Sequence, residues 1–67
     1  MINVEVNGKR HQLPLEVTLE QLLRQLALTG KRLAVELNME VIPRSHYPLQ
    51  QLQTGDRIEI VHAIGGG

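Results

Sequence analysis

Ile2, Val4 and Val6 alternate with Asn3 and Glu5, the period of a strand with one face in a core. Asn7-Gly8 follows at once. Both residues tolerate positive φ, so the dipeptide predicts a two-residue hairpin turn. Residues 9 to 13 then run back as a second strand that ends near Pro14. Leu19, Leu22, Leu23 and Leu26 fall at i, i+3, i+4 and i+7, which places them on one stripe of a helix. Thr18 stands where an N-cap belongs, and Gln21, three residues on, can close a capping box. Gly30 is expected to end this helix, with Lys31-Arg32 near the negative end of its dipole. Leu33, Val35 and Leu37 alternate with Ala34 and Glu36 as a third strand, and Asn38-Met39-Glu40 reads as a turn. Val41-Ile42 forms a short fourth strand stopped by Pro43. Residues 44 to 53 read as an irregular loop with one 3₁₀-like turn, Leu49 and Leu52 being three apart. Thr54-Gly55-Asp56 turns the chain into a last strand over residues 57–64. On that strand Ile58, Ile60 and Ile64 share one face with His62, which reads as a partly buried packing histidine, a partner contact being the alternative.

The order is therefore β-β-α-β-β-β. This is an α+β domain in which one helix covers one face of a mixed sheet of four to five strands and leaves the other face open. The chain has 67 residues, of which eleven are Leu, six Val and five Ile. Ordering it costs on the order of 100 kcal/mol. A core of this size barely offsets that, so nearly every aliphatic residue is expected to be committed to it. Little is left to wall a deep pocket, and a free-standing enzyme is not expected. Lys and Arg number seven, as do Asp and Glu. This balance carries no electrostatic footprint for nucleic acid or an anionic membrane. Lys9-Arg10 and Lys31-Arg32 read as solvated surface. Tyr47 is the single aromatic residue, so bases have no stacking platform, and its expected place is at one edge of the core. His11, His46 and His62 have no metal-ligand spacing, and no P-loop, GxGxxG or Ser-His-Asp arrangement is present. Cysteine is absent, so neither disulfide nor thiolate chemistry is available. No apolar run is long enough for a membrane span, and the N-terminal residues do not resemble a signal peptide. A cytoplasmic location is the expectation.

The sequence closes on Ile64-Gly65-Gly66-Gly67. Three glycines have maximal backbone entropy and nothing to pack. As a tether they reach at most ~10 Å, and they fit a channel too narrow for a Cβ. A frayed terminus is the competing reading. With the Asn7-Gly8 turn, Thr18 before a Leu-rich helix, Val41-Ile42-Pro43-Arg44, the Gly55-Asp56 turn and Val61-His62-Ala63-Ile64 before the glycines, the chain resembles the ubiquitin-like sulfur carriers. It is most similar to the thiamine-biosynthesis carriers of the ThiS family. The resemblance implies a β-grasp domain over residues 1–64 and a flexible tail over 65–67. It implies that an E1-like enzyme adenylates the Gly67 carboxylate with ATP, with Gly65 and Gly66 threading the channel. Sulfur from a cysteine desulfurase or another persulfide donor then displaces AMP and leaves a thiocarboxylate, which thiazole synthase accepts. The chain itself is implied to bind no cofactor or metal and to perform no catalysis. A sulfur carrier for molybdopterin or another pathway, a ubiquitin-like protein modifier and a passive β-grasp binding module are the alternatives.

Alternation gives the partner a place to dock. It turns Ile2, Val4, Val6, Leu33, Val35, Leu37, Ile58 and Ile60 toward the helix, and Glu5, Ala34, Glu36, Glu59, Val61 and Ala63 away from it. If the first, third and fifth strands are neighbours, as the family fold implies, three carboxylates surround a small apolar patch that leads through Ile64 to the tail. An ordinary solvated sheet face is the other reading. A bulge in the last strand would exchange the faces.

Overall fold

In the computed structural model, which describes residues 1–62, the predicted elements appear in the predicted order. They are β1 (Ile2–Val6), β2 (Lys9–Leu13), α1 (Leu19–Gln25), β3 (Leu33–Leu37), β4 (Glu40–Ile42), a 3₁₀ turn (Arg44–His46) and β5 (Arg57–His62). The expectations placed on Ala63, Ile64, Gly65, Gly66 and Gly67 lie outside the described residues. The strands form a five-stranded sheet in the order β2-β1-β5-β3-β4. β1 and β5 run parallel, and the other neighbours are antiparallel. The last strand to be made is thus the central one, with the first and third strands beside it.

Two turns of one type build the hairpins. Asn7 and Gly8 have φ of 48° and 83°, and Asn38 and Met39 have φ of 50° and 73°. Positive φ at both central residues is the type I′ pattern that matches strand twist. Asn, Gly and Asn are suited to it. Met39 takes the same conformation while 87% exposed.

α1 starts as its sequence dictates. The Thr18 N–H donates to Gln21 Oε1 at 2.9 Å, and the Gln21 N–H donates to Thr18 Oγ1 at 3.2 Å, so the capping box is complete. Its end differs from expectation. The helix stops at Gln25, and Ala27, at φ 60°, takes the left-handed conformation that ends it; Gly30 is left-handed too, at φ 83°, but lies in the loop beyond. The Leu28 N–H reaches the Leu23 carbonyl at 2.8 Å and the Ala27 N–H the Arg24 carbonyl at 3.0 Å. These are the two bonds of a Schellman motif, and Leu28 packs against the core, as such motifs favour. Packing of Leu28 thus fixes the end of the helix ahead of the glycine. It also moves Lys31-Arg32 away from the helix terminus, and Arg24 is the basic residue of the last turn. The 3₁₀ turn likewise lies at Arg44–His46, ahead of the Leu49–Leu52 spacing that suggested it.

Leu19, Leu22 and Leu23 of α1 are buried against Ile2, Val4, Val6, Val35, Leu37, Ile58 and Ile60 of the sheet, with Leu13, Val17, Tyr47 and Leu52 closing the edges. Leu13, Leu19, Leu22, Val35 and Ile58 are fully enclosed, each contributing about 1.5–3 kcal/mol by burial. Not every aliphatic residue joins this core. Leu15, Val41, Leu49 and Val61 are more than half exposed, so apolar surface remains outside it. His62 is exposed as well, not the partly buried packing histidine expected. By alternation it lies on the helix side of β5, but a seven-residue helix is only about 10 Å long and cannot cover a strand of about 20 Å.

Candidate functional site

The open face of the sheet is ordered in rows by the strand register, which runs without a bulge from Leu33↔His62 to Leu37↔Ile58. In the first row Arg10, Glu5 and Arg57 lie side by side on β2, β1 and β5. Arg57 Nε lies 3.5 Å from Glu5 Oε2, with both side chains about half exposed. A pair so wet adds little stability, yet it neutralises Glu5. In the second row Glu59 of β5 faces Glu36 of β3, which faces Val41 of β4. In the third, Val61 faces Ala34.

The hydrogen-bond phase of this ladder follows from its end. The Asn38 N–H donates to the Arg57 carbonyl at 2.8 Å, one step past the Leu37↔Ile58 pair. Antiparallel pairs alternate in type, so Glu36·Glu59 and Ala34·Val61 are hydrogen-bonded pairs with Cα atoms about 5.5 Å apart. Leu33·His62 is a non-hydrogen-bonded pair. Two like charges directly opposite destabilise a sheet. Among the described residues neither glutamate has an ion-pair partner. Val41 and Val61 flank them at 68% and 58% exposure. An acidic pair bordered by exposed valines can attract a basic partner and then exclude water from the contact.

Five of the candidate docking residues, Glu5, Ala34, Glu36, Glu59 and Val61, therefore share one face. Ala63 and Ile64, and the tail positions Gly65, Gly66 and Gly67, lie outside the described residues. The picture of three carboxylates around an apolar patch needs correction, because Arg57 holds Glu5 and leaves a pair. Arg57 was legible, since it has the same parity as Glu59 and Val61. Val41 was legible through its place opposite Glu36 once the short fourth strand was paired.

Asn7 is a further participant that no spacing announces. Its side-chain Oδ1 accepts from the Ile60 N–H at 2.8 Å, its Nδ2 donates to the Ile60 carbonyl at 3.2 Å, and its own N–H donates to the Ile58 carbonyl at 2.9 Å. A side-chain amide carries one carbonyl and an N–H donor, as a peptide does. Asn7 thus adds a rung to the β1–β5 ladder after the backbone of β1 has turned away. It fixes the strand that leads to the glycines. Across the sheet Asn38 acts similarly, accepting from the Arg57 N–H at 2.9 Å and donating to Asp56 Oδ1 at 3.0 Å.

A model of the ThiS family matches residues 2–67. The chain belongs to the ThiS family. It is 37% identical over 65 residues to the sulfur carrier protein ThiS of Bacillus subtilis, covering 96% of this chain and 98% of that protein. The crystal structure of the thiamine biosynthesis protein ThiS from Geobacter metallireducens superposes with a TM-score of 0.85 at 30% identity, over 98% of this chain and 100% of that one. The five-stranded mixed sheet with its single main helix is the β-grasp fold that the resemblance implied. A thiazole synthase of Paramagnetospirillum magneticum is 39% identical over 62 residues, which are 92% of this chain and 19% of that protein. The chain thus spans about a fifth of the length of the thiazole synthase relatives it matches. This chain accordingly resembles both a protein of similar length and a segment of much longer ones.

Proposed function

We propose that this chain is a cytoplasmic sulfur carrier of thiamine biosynthesis and that the Gly67 carboxylate is its working group. The observation that carries the reading is the similarity to the B. subtilis sulfur carrier, which extends over nearly the full length of both proteins. A carboxylate is a poor electrophile because its oxygen is a poor leaving group. An E1-like enzyme supplies the activation: a Gly67 oxygen attacks the α-phosphorus of ATP, pyrophosphate leaves, and an acyl-adenylate forms. A persulfide, formed by a cysteine desulfurase or an equivalent donor, attacks the acyl carbon through its terminal sulfur and expels AMP. A second thiol then cleaves the sulfur–sulfur bond, leaving the thiocarboxylate on Gly67 and a disulfide on the donor side. Reacting groups and cofactors in this scheme belong to the partners, and the chain contributes the carboxylate and its presentation.

The acceptor is thiazole synthase. Relatives bearing that name contain a segment similar to this chain, which favours this acceptor over a molybdopterin pathway. Glu36, Glu59, Val41, Val61 and Ala34 form the docking face, with Ala63 and Ile64 continuing it, and Gly65 and Gly66 pass through a channel. Both partners need the tail inserted, so they compete for one face. The test is intact-mass analysis after incubation with ATP, a cysteine desulfurase and the organism's own adenylating enzyme. The expected product is heavier by the exchange of sulfur for oxygen, and fragmentation maps the change to Gly67. A chain extended by one residue past Gly67 should form no acyl-adenylate while melting at the same temperature. Adenylation of that extended chain would refute the assignment.

A further inference from the structure

The Asn7 side chain closes the β1 side of β5 at Ile60 and leaves the next rung open. The Ile58 carbonyl and both backbone groups of Ile60 point toward β1, since all three bond to Asn7. Backbone direction along a strand repeats every two residues, so His62 presents its N–H and C=O to that same side. The β1 chain is gone by then: Asn7 and Gly8 turn it back with positive φ into β2, which lies on the far side of β1. On its other edge His62 meets Leu33 in a non-hydrogen-bonded pair, so β3 uses neither group. Among the described residues no hydrogen bond reaches His62 from the β1 side, and the residue is exposed.

We infer that this open rung receives an extended segment of the adenylating enzyme, which bonds to the His62 N–H and C=O and lies in line with β1 as an added strand. The inference rests on the proposed function. Three features of the chain favour a main-chain contact there. The glycines that follow have no side chains, so a partner that handles them can bond only to peptide groups, the currency of strand addition. The Asn7 amide fills the rung before His62, so His62 is the first rung open to an incoming strand. Val61, on the docking face, immediately precedes the open rung, so a partner seated on that face already lies beside this edge.

The test removes one backbone donor. His62→Pro deletes the backbone donor that points to the open side, and proline is tolerated at a strand edge where its missing N–H would have faced solvent. His62→Ala keeps the donor and removes the imidazole. Both are assayed by carrier-dependent ATP–pyrophosphate exchange with the organism's adenylating enzyme, alongside thermal melts. The expected result is a loss of about 10- to 100-fold in kcat/KM for His62→Pro, since an acceptor on the partner is left unpaired. His62→Ala should stay near the parent value, with both melting as the parent does. Equal activity of His62→Pro and the parent overturns the inference, as does an equal loss in both variants, which would assign the effect to the side chain. Amide hydrogen exchange on the unsubstituted chain decides independently should the proline variant fail to fold. The His62 N–H should exchange quickly in the free carrier and slowly in the complex, and unchanged exchange overturns the inference. If the unsubstituted chain supports no pyrophosphate exchange at all, the functional reading falls and this inference with it. Exchange that is normal for parent and proline variant alike removes only the open-rung contact.

Discussion

Replacing Glu59 with lysine should stabilise the sheet and weaken docking at once. Glu36 and Glu59 are opposite residues of a hydrogen-bonded pair, with Cα atoms about 5.5 Å apart. Two unit charges at that separation in water repel by about 0.8 kcal/mol, an upper value because the side chains can splay. Lysine at position 59 turns repulsion into attraction, and cross-strand pairs of opposite charge contribute about 0.2–1 kcal/mol. A net gain of about 1 kcal/mol is expected at low salt, or roughly 4–8 °C in Tm for a domain of this size. Screening should shrink the gain as the Debye length falls below the pair distance. Glu36→Lys should act alike, and the double variant, with lysine facing lysine, should return to the stability of the parent. Thermal melts of the four proteins at two salt concentrations complete the cycle. In binding to the adenylating enzyme, Glu59→Lys should slow association at low salt, with a smaller effect at high salt. The reasoning fails if Glu59→Lys destabilises the fold, if the double variant is as stable as the singles, or if association is unchanged at low salt.

Four further outcomes follow from single residues. Val61→Asp should lose partner binding at every salt concentration, as measured by calorimetry, while its circular dichroism stays native, because Val61 is 58% exposed. Asn7→Gly keeps positive φ available but removes both side-chain bonds to Ile60; at roughly 1 kcal/mol each it should lower Tm by about 10 °C and accelerate exchange of the Ile60 amide. Ala27→Gly relieves a left-handed alanine, and the gain of about 1–2 kcal/mol, less the entropy glycine adds to the unfolded chain, should raise Tm by a few degrees in a thermal melt. Gly66→Ala should reduce carrier turnover by ~10²-fold, the scale set by small misplacements of a reacting group, with Tm unchanged; parent-like kinetics would show that the channel tolerates a methyl group there.

The strands were legible because one buried face imposes a strict period. In Ile2-Val4-Val6, Leu33-Val35-Leu37 and Ile58-Ile60 any slip by one residue would send the whole set into water, so register and face follow from the residues alone. The start of α1 was legible for a different reason: Thr18 and Gln21 satisfy each other locally. Its end was not. Gly30 is left-handed, at φ 83°, but Leu28 must reach the core, and that contact ends the helix earlier, through a left-handed Ala27. His62 is exposed where a packing role is expected, because alternation gives the side of the sheet on which a residue lies and not how far the helix covers that side. Glu5, Ala34, Glu36, Glu59 and Val61 lie on one sheet face as alternation implies, but alternation does not show that Arg57, on the same face, pairs with Glu5 and changes the charge pattern.

On the proposed reading, the central strand links the docking face, the Asn7 side chain and the glycines into one device. β5 is formed by the last residues of the domain, yet it lies between β1 and β3, so its path depends on contacts made by the first and third strands. Its even residues, Ile58 and Ile60, are enclosed by the helix side of the sheet, and its odd residues, Glu59 and Val61, form the open face. A partner that presses on Val61 therefore meets a strand anchored beneath by Ile60, along one edge by Asn7 and along the other by β3. Such anchoring matters for a carrier. Glycines carry no side chain by which a partner could orient them, so on the proposed function the orientation of the Gly67 carboxylate comes from the strand that precedes it and from the partner. On the proposed reading, the anchoring of β5 up to Ile60 fixes the origin of the tail, and the partner at the open rung of His62 supplies its direction.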